Sequence, residues 1–503
     1  MNKIDLLIIA PNSSDIYQEL QHDFSAKETN IWAGLLANAV RAKGLGVAIY
    51  DMEVEMPSPD QFVQDVESYN AKLILFVVTG QNPSASTPAM SGAVSAAEIL
   101  SGVNSKIAFV GPHINALPME TLERHDCIDI VFTNEGVYAL LNLLSTDLSE
   151  LALKSVNGIV YRQDGSINVN PPEKIVPQGL LAQDLPGVAY DLMPSLNQYR
   201  TSYWHCNYSG NRSPFASIYT SLGCTFTCNF CMINIINRTE NGSDKYAGMF
   251  NKFRYWEPDF TIKELDYLAT QGVKNLKIAD ELFLNSPNKH AMPLCDLIIE
   301  RGYDFNIWAY TRVNTVKERH LEKLKKAGVN WLAIGIENVK QSVRQEVEKG
   351  KFKDVDIGNV VRMIENTGIN VIQNYIVGLP GESVQDAEDN INFAIDLNCA
   401  AYNVHPAIAL PGSQLYTEAV LNNQRIPENY SEFGFSSYDC VPLSNGIMSE
   451  EEMLNIRDKN WNRYYTNEKV LNMINNKFGS AAVDNIKRMT SIKLQRKLLQ
   501  DVK

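Results

Sequence analysis

The feature that most limits what this chain can become is a pattern that occurs in two series: a short apolar run, a longer segment with apolar residues at helical spacing, then another short run. Parallel strands need a crossover long enough to hold a helix, so such alternation folds as a parallel sheet covered by helices. In the first series the runs fall at residues 6–10, 47–51, 73–78, 107–110 and 128–132, with helical patterns such as 31–43, stopped by Gly44, and 85–100. In the second series they fall at 216–220, 273–278, 305–309, 331–336, 371–377 and 401–404. Helical patterns at 261–270, 292–301, 318–327, 355–366 and 384–397 separate them. The expected fold class is α/β: an N-terminal doubly wound, Rossmann-like parallel sheet, then a partial (βα)6 barrel, then a helical C-terminal domain. In both kinds of sheet, ligands and chemistry gather at the carboxyl ends of the strands. In the first series those ends carry Pro11-Asn-Ser-Ser14, Thr79-Gly80-Gln-Asn82, Gly111-Pro-His113 and Asn134-Glu135-Gly136.

Four units follow: residues 1–150 for the first sheet, 151–205 for a hairpin and proline-rich linker, 206–416 for the barrel and 417–503 for the helical end. The hairpin is expected at 158–169 around Asp164-Gly165, and Pro171, Pro172, Pro177, Pro186 and Pro194 break regular structure after it. Ser449 followed by acids reads as a helix start, with helices at 451–465, 471–478 and 482–499. Lys487, Arg488, Lys493, Arg496 and Lys497 are expected on the solvated face of the last one.

A net charge of −13 argues against a nucleic-acid or anionic-membrane partner. No apolar run reaches the ~18 residues that span a bilayer. The N-terminus reads as a first strand, without a signal-peptide cleavage pattern. Five of the eight cysteines are scattered, which is no disulfide framework, and a reducing cytoplasm is the expected location.

The other three stand together in Ser221-Leu-Gly-Cys224-Thr-Phe-Thr-Cys228-Asn-Phe-Cys231. Thiolates are the soft ligands that iron–sulfur clusters select, and three on one loop can each hold a different iron of one cube, leaving the fourth iron open. The alternatives are unpaired buried cysteines or a zinc knuckle, for which Cys206 or His205 are the candidate fourth ligands.

C-x3-C-x2-C with an aromatic residue before its third cysteine resembles the signature of the radical S-adenosylmethionine (SAM) enzymes. The resemblance implies a 4Fe-4S cluster held by Cys224, Cys228 and Cys231, with SAM chelating the open iron. It further implies that Asp280 or Glu281 receives the methionine ammonium and that Glu337, in a G-I-E sequence, accepts from the ribose hydroxyls. Phe230 and the glycine-rich stretch at Gly378 are then on the adenine side. Arg312 suits the methionine carboxylate, because a guanidinium matches a carboxylate bidentately. The plain readings are a helix cap for Asp280 or Glu281, an ion pair between Arg312 and Glu337, and an ordinary turn at Gly378.

The first series resembles the cobalamin-binding domain that precedes many radical SAM cores. The likeness includes Gly34, Asp51, the Gly111-Pro-His113 turn and the Glu135-Gly136 helix start, so Thr79, Gly80, Gly111, His113, Glu135 and Gly136 become expected cofactor-binding residues. One departure matters. Where cobalt-ligating members carry D-x-H-x-x-G, this chain reads Pro11-Asn12-Ser13-Ser14-Asp15, so no histidine would replace the lower dimethylbenzimidazole arm.

The family mechanism implies an enzyme that moves a methyl group from methylcobalamin to an unactivated carbon of a small molecule. A flavodoxin or ferredoxin would supply the electron. The alternatives are radical rearrangement or oxidative cyclisation without methylation, and a cobalamin-binding sensor or carrier with a vestigial cluster. His405, after the last strand run, has two readings: a residue facing substrate or, the plainer one, a packed histidine.

Overall fold

A computed structural model describes residues 4–80, 83–348 and 355–500. Gln81 and Asn82, in the expected loop after the third strand, lie outside them. The first series forms β1 (Leu6–Ala10), β2 (Val47–Asp51), β3 (Leu73–Val77), β4 (Lys106–Val110) and β5 (Ile130–Phe132), followed by β6 (Ile159–Gln163) and β7 (Ser166–Val169). They make one sheet in the order β2-β1-β3-β4-β5-β6-β7. All pairings from β2 to β5 are parallel. β1 explains why the runs are apolar throughout: Leu6 and Ile8 pack into one core, Leu7 and Ile9 into the core on the other face. Strand order reverses beside β1, which places a crevice at its carboxyl end.

The expected hairpin is present, with Asp164 and Gly165 both at positive φ, but it is part of the sheet: β6 pairs antiparallel with β5. After it the proline-rich strap crosses the helix Ile31–Arg41 at Gly34, where a Cβ would lie 2.4 Å from Val188. Tyr190 in the strap donates to the Ser217 carbonyl at 2.7 Å, which ties the strap to the second sheet.

The second series gives β8 (Phe215–Ile218), the short ribbon strands β9 (Ser221–Leu222) and β10 (Arg254–Tyr255), then β11 (Asn275–Ile278), β12 (Asn306–Arg312), β13 (Val329–Glu337), β14 (Asn370–Val377) and β15 (Ala401–Pro406). The order β15-β14-β13-β12-β11-β8 is a six-stranded parallel sheet, curled as an open barrel with its strands in chain order. Trp308, Trp331, Ala333, Ile372 and Ala401 pack together on its inner face. Glu28, just before the first long helix, reaches into the β8 edge, accepting from buried Lys277 at 2.8 Å and from Ser217 at 2.9 Å.

The tail is helical at Glu450–Tyr465, Glu468–Phe478, Ser480–Ser491 and Lys497–Gln500. Ser449 and Glu452 form the expected capping box. Tyr464 and Tyr465 are core residues, with hydroxyls on the Cys399 and Tyr402 carbonyls. The expected helix at 482–499 stops at Ser491, and Arg496 is not on a solvated face: it is 2% exposed and grips Asp458 with two bonds of 2.9 Å. The half-buried Asp458 carboxylate holds the Arg496 guanidinium in place, which pairs that buried charge. No helix among the described residues is long and apolar enough to cross a membrane.

Candidate functional site

The strand ends of the two sheets open onto one cavity of about 590 Å³. Asn12, Gly80 and Gly111 wall it from the first sheet, and Gly223, Glu281 and His405 from the barrel.

The cysteine loop springs from β9. Gly223 is at φ 77°, and a Cβ there would meet the Lys252 carbonyl at 2.1 Å, so the bend needs glycine. Asn234 clamps the first cysteine from both sides, accepting from the Cys224 amide and donating to its carbonyl at 2.9 Å each. Cys224, Cys228 and Cys231 are all unbridged and partly exposed. Among the described residues no three His, Cys, Asp or Glu side chains converge on one ion-sized point. His205 cannot complete a zinc site: both its ring nitrogens are engaged, by Thr201 at 2.6 Å and the Asn306 carbonyl at 2.8 Å. Cys206 donates to the Tyr203 carbonyl. Burial pushes the Cys231 thiol up to about 12, and Cys224, Glu281 and Glu337 add to the rise. Such a thiol gives up its proton when a metal takes its place.

Asp280 and Glu281, adjacent in sequence, do different things. Asp280 is fully buried, and its oxygens accept from the Thr220 and Ser221 amides and from both hydroxyls at 2.6–3.0 Å. It pins the turn that launches the cysteine loop, which leaves its oxygens occupied. Glu281 lines the cavity, and burial raises its pKa to about 8, helped by Asp280 and opposed by Lys277.

Arg312 ends β12 with its guanidinium on Cys228 Sγ at 3.2 Å and over the Phe226 ring at 3.8 Å. Glu337 ends β13 at φ 61°, after a register shift against β14. A glutamate held left-handed costs roughly 1–2 kcal/mol, a strain found where a side chain must be aimed. Its Oε1 lies 2.4 Å from where a Cβ on Gly335 would stand, and its charge adds to the rise at Cys231. Phe230 packs between Val343, Val347 and Leu379 on one side and Leu415 on the other. Gly378 is at φ 93°, where a side chain is strained, and a Cβ there would also stand 2.4 Å from Met453 Sδ. Its amide donates to Glu382 at 2.6 Å, and Glu382 also takes Asn338 and Asn390. Sequence reasoning passed over Glu382, although an acid after G-L-P-G is a signal for this strand-end lock.

On the first sheet, Thr79, Gly80, Gly111 and Glu135 line the cavity, and His113 and Gly136 do not. The two glycines are steric: a Cβ at Gly111 would stand 2.1 Å from the Val78 carbonyl, and at Gly80 2.4 Å from Ala85. The wall of Asn12, Ser13, Gly80, Ala85, Ala89 and Gly111 is backbone and small side chains, a surface that a flat macrocycle fits. His113 is 2% exposed, bonded to Thr87 at 3.2 Å and edge-on to Tyr430, and burial lowers its pKa to about 3. Glu135 is spent on a fully buried ion pair with Arg254 at 2.6 Å and on the Val176 amide, riveting the first sheet to the ribbon beside the cysteine loop. Gly136, at φ 81°, starts the helix Val137–Leu144.

A model of the radical SAM superfamily matches residues 218–394, and a model of the B12 binding domain matches residues 22–144. An uncharacterized methyltransferase of Pyrococcus horikoshii, PH0819, is 27% identical over 77% of this chain and 78% of its own length. The anaerobic magnesium-protoporphyrin IX monomethyl ester cyclase of Rubrivivax gelatinosus is 24% identical over 88% of this chain and 74% of its own. Among solved structures, the radical SAM methyltransferase TsrM of Kitasatospora setae, with cobalamin and a [4Fe-4S] cluster bound, superposes with a TM-score of 0.64 at 16% identity, covering 84% of this chain and 78% of that one.

Proposed function

We propose, from the premise that this chain joins a B12-binding domain to a radical SAM domain, that it is a cobalamin-dependent radical SAM enzyme adding a methyl group to an unactivated carbon of a small molecule. The observation that carries this reading is the single cavity walled by both sets of strand ends. Methyl transfer to a substrate radical requires one molecule to face both cofactors.

When bound, the cluster and SAM supply a 5′-deoxyadenosyl radical, and cobalamin supplies the methyl group. The rest falls to the chain's own residues. Cys224, Cys228 and Cys231 are the thiols that would hold the cluster, with SAM binding at it. Glu281 receives the methionine ammonium. Its raised pKa means that it loses its proton as the cation arrives. Arg312 pairs with the methionine carboxylate while remaining beside Cys228, Glu337 takes the ribose hydroxyls, and Phe230 and the Gly378 backbone border the adenine. Thr79, Gly80 and Gly111 seat the corrin. Asp280, His113, Glu135 and Gly136 position these residues without touching a ligand. The working units are residues 1–150 together with the hairpin of 151–205 that extends their sheet, the strap that completes 151–205, then 206–416 and 417–503. The electron comes from a flavodoxin or ferredoxin, nucleic acid is not a partner, and the protein works in the cytoplasm.

Anaerobic reconstitution with iron, sulfide and hydroxocobalamin tests the assignment. About four irons per chain with a corrin absorption spectrum are expected. Retention of neither overturns it. A product heavier than its substrate by one methylene separates methylation from rearrangement.

A further inference from the structure

The last strand of the barrel turns one imidazole into the cavity that none of these roles uses. Along β15, Tyr402 and Val404 pack outward into the main core, while Asn403 and His405 stand half-buried on the other face. His405 lines the cavity. Its ring lies against Phe435, with centroids 4.6 Å apart and planes tilted 31°. Phe435 lines the same cavity, and the turn just before it, Tyr430–Phe433, packs on the first-domain helix Ser86–Ile99. The imidazole is thus held in orientation from both domains. Its Nδ1 is buried without a hydrogen-bond partner among the described residues, and the residue lines the cavity. Burial, with the nearby Arg457 charge, lowers its pKa to about 3, so the ring is neutral and has one donor and one acceptor nitrogen. His113 and His205 are equally neutral but have partners and stand in packed protein. A buried ring nitrogen without a partner is unfavourable, and a hydrogen bond from a ligand atom relieves that penalty.

We propose that His405 is a substrate-contacting residue: its imidazole hydrogen-bonds an oxygen or nitrogen atom of the molecule held between the barrel mouth and the strand-end loops of the first sheet. This rests on the enzymatic reading above. The substrate therefore carries a polar group where it meets β15, since a purely hydrocarbon face would leave Nδ1 unsatisfied.

The test is carbethoxylation of the reconstituted, hydroxocobalamin-loaded protein by diethyl pyrocarbonate at pH 7. The reaction forms an N–C bond on the ring and releases ethanol and carbon dioxide, and peptide mass locates it. His405 is expected to react at least about tenfold faster than His113 or His205, and the label should vanish from that peptide in His405→Gln. A rate no faster than that of His113 would mean a packed histidine and overturn the proposal. Labelling of apo protein that hydroxocobalamin abolishes would also overturn it, because the imidazole would then contact the corrin instead. Failure of the enzymatic reading is seen separately, as absent corrin absorption before any reagent is added.

Discussion

The two sets of strand ends solve the same problem with opposite materials. On the first sheet the polar strand-end residues are consumed by the protein itself: Asp51 takes the Tyr199 hydroxyl, His113 packs on Tyr430, and Glu135 is locked to Arg254. At the strand ends, Asn12, Ser13, Gly80, Ala85, Ala89 and Gly111 leave small side chains and backbone facing the cavity, while Lys27, Glu28, Asn30 and Glu53 of the same domain also line it. On the barrel, Glu281 and His405 line the cavity, and the strands beside them end in Arg312, on Cys228, and Glu337. A broad, nearly flat ligand is held by area and close approach, which side chains would obstruct. A zwitterionic nucleoside is held by directional charge and hydrogen bonds, which only side chains supply.

Substitutions can break or sharpen this contrast. The largest effect belongs to the barrel: Cys224→Ala, Cys228→Ala or Cys231→Ala should abolish 5′-deoxyadenosine formation from SAM under a strong reductant, and undiminished formation would reject the cluster assignment. Next comes Glu135→Ala, which leaves the Arg254 guanidinium buried and unpaired. A loss of about 3–5 kcal/mol is expected in denaturant unfolding. A loss of corrin affinity with unchanged stability would instead make Glu135 a ligand contact. Gly111→Ala should destabilise by about 1–3 kcal/mol through overpacking against Val78 and weaken hydroxocobalamin binding in an absorbance titration.

A pH slope tests the buried imidazoles, and the change expected from one substitution in it is a single histidine's share. His113 and His205 have folded pKa values near 3, below the unfolded 6.5, so the unfolded chain binds protons first as pH falls. Stability should be intact above about pH 6.5 and decline below it, by up to about 1.4 kcal/mol per pH unit for each histidine. His113→Gln should flatten that slope by one histidine's share without changing the corrin spectrum.

Much of this was legible in the linear chain. Strand positions followed from continuous apolar runs such as Leu6–Ala10 because both faces of a parallel strand are buried, and the cysteine spacing pointed to the cluster loop. Asp280, His113, Glu135 and Gly378 were less legible. Each stands where a ligand residue would stand, and each is explained by a neighbour far away in sequence: Ser221, Tyr430, Arg254 and Met453. The tail helix expected to reach residue 499 stopped early for the same kind of reason, a bond from Arg496 to Asp458.

The sequence by itself determined the layer architecture, the thiol loop and which strand ends would matter, because periodicity and ligand spacing are local properties of a chain. Only the tertiary structure decided which residues at those ends are spent on the fold and which still face the cavity. A carboxylate or imidazole carries the same chemistry in either role, and what separates them is whether the packed protein or a ligand supplies the hydrogen-bond partner.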